Sequence, residues 1–195
     1  MGIQVSETKL YGNMMQLGAG IEACLEKRLI TPALILLYSA IDITSWLASD
    51  NPNASVRDYF TGWVQDYMLP SKPLGCNALE LYSARCGLVH TLTPDSRLAE
   101  QGGVRRIAYA WGTAQSSDLQ SLIDRTGWSD RLVSVHVEEL YEAWRLGLLA
   151  FTEELQENSQ KATAVYERAN KFFDNLASEP FEALLGKDDR QAKNV

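Results

Sequence analysis

The chain has 195 residues, 46% of them hydrophobic, enough to build one sizeable core. Lys and Arg number 18 against 25 Asp and Glu, a formal net charge of −7, so the chain as a whole repels nucleic acid and any RNA or DNA contact needs a local basic patch. No apolar run approaches the ~20 residues of a membrane span, because Asp42 follows "ALILLYSAI" at once. The N-terminus lacks a basic region leading into an apolar one, and the three cysteines form no CxxC pair. Together these features predict a cytoplasmic protein with reduced thiols, without a membrane partner, a metal or another cofactor.

Leu10, Met14, Leu17, Ile21 and Cys24 recur at steps of four and three, which predicts a helix of about 8–28. A second helix, about 32–49, is apolar nearly all round and therefore central. The third, about 54–69, carries Tyr59, Phe60, Trp63 and Tyr67 and should stop at Pro70. The fourth, about 76–91, must end before Pro94. The period then changes. In "GVRRIAYAWG" Arg105, Ile107, Tyr109 and Trp111 fall on one side, and in "RLVSVHV" Val133, Val135 and Val137 alternate in the same way. Period two predicts strands at about 104–111 and 132–137, expected to pair antiparallel across a polar, partly helical segment. Helices of about 137–157 and 160–177 follow, then a polar tail, 178–195. The fold expected is mostly α, a single domain over 1–177, with a small two-stranded antiparallel insertion. Neither a glycine-rich phosphate loop nor a nucleophile elbow is present in the sequence.

Within the fourth helix, "LYSARCGLVHTLTPDSR" places Arg85 five residues before His90, one of two histidines in the chain. Core packing needs neither. Five steps of about 100° separate them by about 140° on a regular helix, so they do not share a face. An unwound last turn, or two such helices from two subunits, would bring them together. The pair suits phosphodiester cleavage in RNA. A histidine near its ordinary pKa of about 6.5 removes the 2′-hydroxyl proton or protonates the leaving oxygen. An arginine holds the phosphate and stabilises the charge of the transition state. The nucleophile belongs to the substrate, so no metal is required. The simpler role for Arg85 is to neutralise Asp42 in the apolar second helix, with His90 ending the fourth helix. The two roles are compatible, since Asp42 would orient Arg85. Asp42 is therefore expected within a direct hydrogen bond of Arg85, or of the Tyr38 or Tyr82 hydroxyl.

"ALELYSARCGLVHTLTPDSRL" followed by "RRIAYAWG" resembles the HEPN superfamily, small helical domains with an Arg-x4–6-His motif late in a core helix. Arg85 and His90 match that motif with four residues between them. The resemblance covers about 30–150 and implies a HEPN-like helical bundle acting as a metal-independent endoribonuclease, in a family whose members often serve toxin–antitoxin or phage-defence systems. It also implies a homodimer with the two motifs at the interface, RNA as substrate and a cognate antitoxin or other protein partner. Arg85 and His90 would be catalytic, with Asp42, Tyr82 and Cys86 in support. Cys86 follows the arginine where active members often carry a polar residue. The alternative is thus a catalytically inactive HEPN-like module that binds a protein partner, nucleotide or RNA. Arg97, Arg105 and Arg106, just after the motif, would supply the basic patch, and Tyr82, Tyr109 and Trp111 either stack bases or pack in the core. Trp46, Trp63, Tyr67 and Trp144 are the aromatic residues a second copy would cover.

Overall fold

In this computed structural model, residues 2–51, 53–93 and 96–171 are described. The tail expected at 178–195 and the domain end expected at 177 lie outside them, as does the last part of the helix expected over 160–177. The architecture is the mostly helical one that the sequence predicts, with a two-stranded sheet between the fifth and last long helices.

The most apolar segment becomes the central helix. α2 (Ile30–Ala48) packs against α1 (Gly2–Glu26), α3 (Val56–Trp63), α5 (Ala78–Thr91), α8 (Val137–Glu157) and α9 (Ser159–Ala169). Leu34, Leu37, Tyr38 and Ile41 are buried in the resulting core. The polar residues of α2 are satisfied inside it. Thr44 and Ser45 donate to the Ala40 and Ile41 carbonyls, and the Trp144 indole donates to Thr44 at 3.1 Å. By length and composition alone α2 is, among the described residues, a helix able to cross a bilayer, which the sequence reading did not grant; half of its apolar stretch is buried inside the protein. Trp63 and Trp144 are likewise buried, and Trp46 and Tyr67 are half-buried against the core, so this quartet does not form an open aromatic face.

The third helix is not regular. α3 gives way to a π-helical turn, Val64–Met68, and then to a short α-turn, α4 (Leu69–Ser71), so the helix runs past Pro70 instead of stopping there. A regular α-turn would press the proline ring against the carbonyl four residues back; the wider π-turn relieves that clash. α8 crosses this turn at Gly147. A Cβ added there would lie 2.9 Å from the Met68 Cα and 3.2 Å from the Trp63 ring.

The strands are shorter than expected, β1 (Arg106–Ala110) and β2 (Leu132–His136), and they are parallel, which corrects the antiparallel pairing. Ile107 pairs with Val133 and Tyr109 with Val135. The reason is the connection. α7 (Ser116–Arg125) lies between the strands and carries the chain back to the starting end of β1, the crossover that a parallel pair requires. The short helix α6 (Arg97–Glu100) leads into β1, and β1 packs on α5. A buried hydroxyl pair, Tyr38–Tyr109 at 2.6 Å, ties β1 to the central helix.

The Gly147 contact yields a stability prediction. Gly147→Ala forces a methyl group into backbone that cannot yield cheaply and should lower unfolding free energy by about 1–3 kcal/mol in urea denaturation. Wild-type stability in the variant would show that the π-turn is free to move away.

Candidate functional site

α5 is fixed at both ends. At its start Asn77 accepts from the Glu80 amide at 2.9 Å and Glu80 accepts from the Asn77 amide at 2.8 Å, a reciprocal cap. Glu80 is only 3% exposed, and Arg105 supplies its counter-charge from 25 residues away, through Nε at 2.6 Å and Nη2 at 3.1 Å. At its end Leu92 adopts a left-handed conformation (φ 55°), and the Leu92 and Thr93 amides return to carbonyls of the last turn. The helix is therefore regular through His90, and the unwound last turn is not what joins the motif.

What joins it is the length of the arginine side chain. Arg85 Nη1 lies 3.0 Å from His90 Nε2 across the helix surface. The same guanidinium grips the central helix, with Nε 2.6 Å and Nη2 2.5 Å from Asp42 Oδ2. Both donors use one carboxylate oxygen; Oδ1 is buried without a hydrogen-bond partner. A guanidinium nitrogen only donates, so His90 Nε2 must be the acceptor, and the neutral ring carries its proton on Nδ1. Asp42, Arg85 and His90 thus form one polarised chain, running from the inside of the fold to an exposed imidazole. Asp42 takes the arginine of the three partners offered to it, while Tyr38 turns to Tyr109.

Three further residues surround the chain. The Cys86 thiol interacts with both the Arg85 guanidinium and the Tyr82 hydroxyl, while the Tyr82 ring meets Phe60 edge-on at 5.6 Å. Tyr59, which the sequence places on the third helix, is close enough to feel the charges of Asp42 and Arg85. Burial drives the Tyr59 and Tyr82 hydroxyls above the usual phenol value, so both remain protonated donors. Burial is also the larger influence on Asp42 and lifts its carboxyl above the ordinary value, against the hydrogen bond and charge of Arg85. For Arg85, burial pulls the value down, and the Asp42 and Cys86 contacts together more than reverse it.

The three arginines expected to form a basic patch have different surroundings. Arg105 is committed to Glu80. Arg106 lines a separate small groove with Glu100, Asp130 and Arg131, and Arg97 is exposed at the start of α6. Tyr109 is half-buried against the core with its hydroxyl on Tyr38, whereas Trp111 is 42% exposed just beyond β1. Among the described residues no three His, Cys, Asp or Glu side chains converge as metal ligands do.

Substitutions at Asp42 separate charge from shape. Asp42→Asn should keep the fold and part of the Arg85 contact, whereas Asp42→Leu strands a guanidinium that is only 15% exposed and should cost on the order of 3 kcal/mol. The raised carboxyl value also fixes a pH trend. A carboxyl raised on folding contributes stability below about pH 4, which is lost as the pH rises through the folded value. Urea titrations at acidic and neutral pH should therefore show wild type losing stability relative to Asp42→Asn as pH rises; the opposite slope would mean that Arg85 outweighs burial.

Compared with protein-family models, with curated proteins and with solved structures, the chain gives no significant match.

Proposed function

We propose that the protein is a metal-independent endoribonuclease of the HEPN type, and that Arg85 and His90 carry the reaction. The single observation behind this reading is the 3.0 Å contact from Arg85 Nη1 to His90 Nε2, with Asp42 holding the guanidinium from behind. It places an anion-binding group and a proton-transfer group side by side at the protein surface, as phosphodiester cleavage needs.

The chemistry follows from which nitrogen is engaged. In the free protein the Nε2 lone pair is occupied by Arg85. A phosphate oxygen is a stronger acceptor than a neutral imidazole, so bound RNA draws Nη1 onto itself and releases Nε2. The freed lone pair takes the proton of the 2′-hydroxyl as the 2′-oxygen attacks phosphorus. The bond from phosphorus to the 5′-oxygen breaks, and the proton on Nε2 passes to that oxygen. The products are a 2′,3′-cyclic phosphate and a 5′-hydroxyl. Arg85 neutralises the extra charge on the phosphoryl oxygens, and Asp42 keeps Arg85 from following the departing product. In the same reading the protein acts as a homodimer, in a cytoplasmic toxin–antitoxin or phage-defence setting.

One feature favours a second reading, a catalytically inactive module that binds RNA, a nucleotide or a protein partner. Arg85 already has a carboxylate at 2.5 Å, which offsets the charge a phosphate would seek. Mixed RNA incubated with the pure protein in EDTA decides between them. The nuclease reading expects cleavage that leaves cyclic phosphate ends, fails on a 2′-deoxy substrate and falls about 100- to 10,000-fold in His90→Ala. No cleavage, or cleavage unchanged in His90→Ala, rejects it, and binding that survives Arg85→Ala with His90→Ala supports the inactive module. Light scattering at tens of micromolar tests the dimer, and a monomer there counts against it.

A further inference from the structure

A groove of about 680 Å³ runs between α1 and α8. Both helices pack on α2, and Tyr141 bridges them, its hydroxyl 2.8 Å from Glu22 Oε1 and 3.3 Å from the Gly18 carbonyl. Buried Met14 and Trp144 form the floor. Met15 of α1, 75% exposed, stands on one rim, and Leu146 and Leu149 of α8 stand on the other, Leu149 54% exposed. The central helix separates this groove from the motif. On α2, Thr44 receives the Trp144 indole and Asp42 receives Arg85. Residues two apart stand about 200° apart around a helix, so the groove and the motif face opposite ways.

Nine large hydrophobic side chains are exposed among the described residues, and three of them line this one groove. Scattered singly they would need no partner; gathered on two long helices they mark a docking surface. The face carries a ridge as well as a groove. Leu146 and Leu149 are three residues apart on α8, so they project side by side, as the ridges that enter grooves between helices do. The charges select the occupant. Arg145 lies over the Tyr141 ring, 5.7 Å from its centroid, and pairs with no carboxylate among the described residues. Glu22, across the groove on α1, takes only the Tyr141 hydroxyl. In a two-fold contact the same patch meets itself, so a face with one unpaired cation and one available carboxylate is complementary to a second copy. A lipid surface calls for lysines and arginines around the apolar strip, and nucleic acid calls for cations; this groove carries Glu22 and Glu142 beside its single arginine.

We propose that two copies of this chain meet through their α1–α8 faces about a two-fold axis, with Leu149 of each copy seated in the groove of the other and Arg145 of each paired with Glu22 of the other. The proposal rests on the homodimer of the reading above and not on its chemistry. It changes the surface, since the family resemblance puts the two motifs at the interface. Here α1 and α8 of both copies form a four-helix layer, and the motifs face outward. Each motif stays open to RNA and is complete within one copy, because the Arg85–His90 contact lies within a single chain.

The test is sedimentation of the full chain over a range of concentrations. Leu149→Glu should raise the dimer dissociation constant about 30-fold or more, the effect of disrupting a central anchor. Arg145→Glu and Glu22→Arg should each weaken the dimer about tenfold, and the double variant should recover most of that loss. Leu149 and Arg145 are exposed, so thermal melts of Leu149→Glu and Arg145→Glu should match wild type once corrected for dissociation. Hydroxyl-radical footprinting should find Met15 oxidised in dilute protein and protected in concentrated protein. A wild-type monomer at tens of micromolar overturns the proposal. So does a dimer indifferent to Leu149→Glu, or one broken instead by Leu92→Glu, beside the motif, which would put the interface there. Met15 protected at every concentration in a monomer means that the chain covers its own groove, and equally overturns it. RNA cleavage separates this interface from the nuclease reading. A dimer lost in Leu149→Glu whose wild type cuts no RNA keeps the interface and sinks the nuclease, while a monomer that cuts RNA does the reverse.

Discussion

A carboxylate on the most apolar helix of the chain must be answered, and Arg85 answers it. Asp42, its side chain 18% exposed, directly follows the buried Ile41 on α2, where an unpaired charge would cost several kcal/mol. The guanidinium that reaches it at 2.5–2.6 Å comes from α5. This one contact locks the two helices in register, orients the arginine and leaves only Nη1 to face outward. The rest of the site follows. Nη1 meets His90, selects its tautomer and makes the imidazole part of a chain anchored in the core.

The same logic recurs at the other end of α5. Glu80 caps the helix and is buried, so it needs a cation, and Arg105 is drawn in from the start of β1 to provide one. That pairing docks the sheet on the motif helix. Arg168 is the contrasting case, a half-buried guanidinium anchored by a backbone carbonyl, with two nitrogens unused.

Periodicity made much of this legible. Step-four spacing marks α1 and α8, continuous apolarity marks α2 as central, and the need of Asp42 for a partner points to Arg85. Strand direction was not legible, because alternation reads the same in parallel and antiparallel pairs; only the helix between Trp111 and Arg131 decides it. The π-turn escaped because a proline at position 70 normally ends a helix. The Arg85–His90 contact looked forbidden on an ideal wheel, which plots Cα positions and ignores the reach of a long side chain. Tyr59 carries no sequence signal that sets it apart from the other aromatic residues of its helix, and the partner of Arg105 lies 25 residues earlier, beyond any local pattern.

The tautomer of His90 tests the central claim most directly. The chain has two histidines, so ¹⁵N NMR of the imidazoles, assigned with His136→Gln, reports His90 alone. In its neutral form His90 should carry its proton on Nδ1 with Nε2 unprotonated, and that preference should relax in Arg85→Ala. An Nε2-protonated ring in the wild-type protein would mean that Arg85 does not donate to it, and the polarised chain from Asp42 to His90 would not exist.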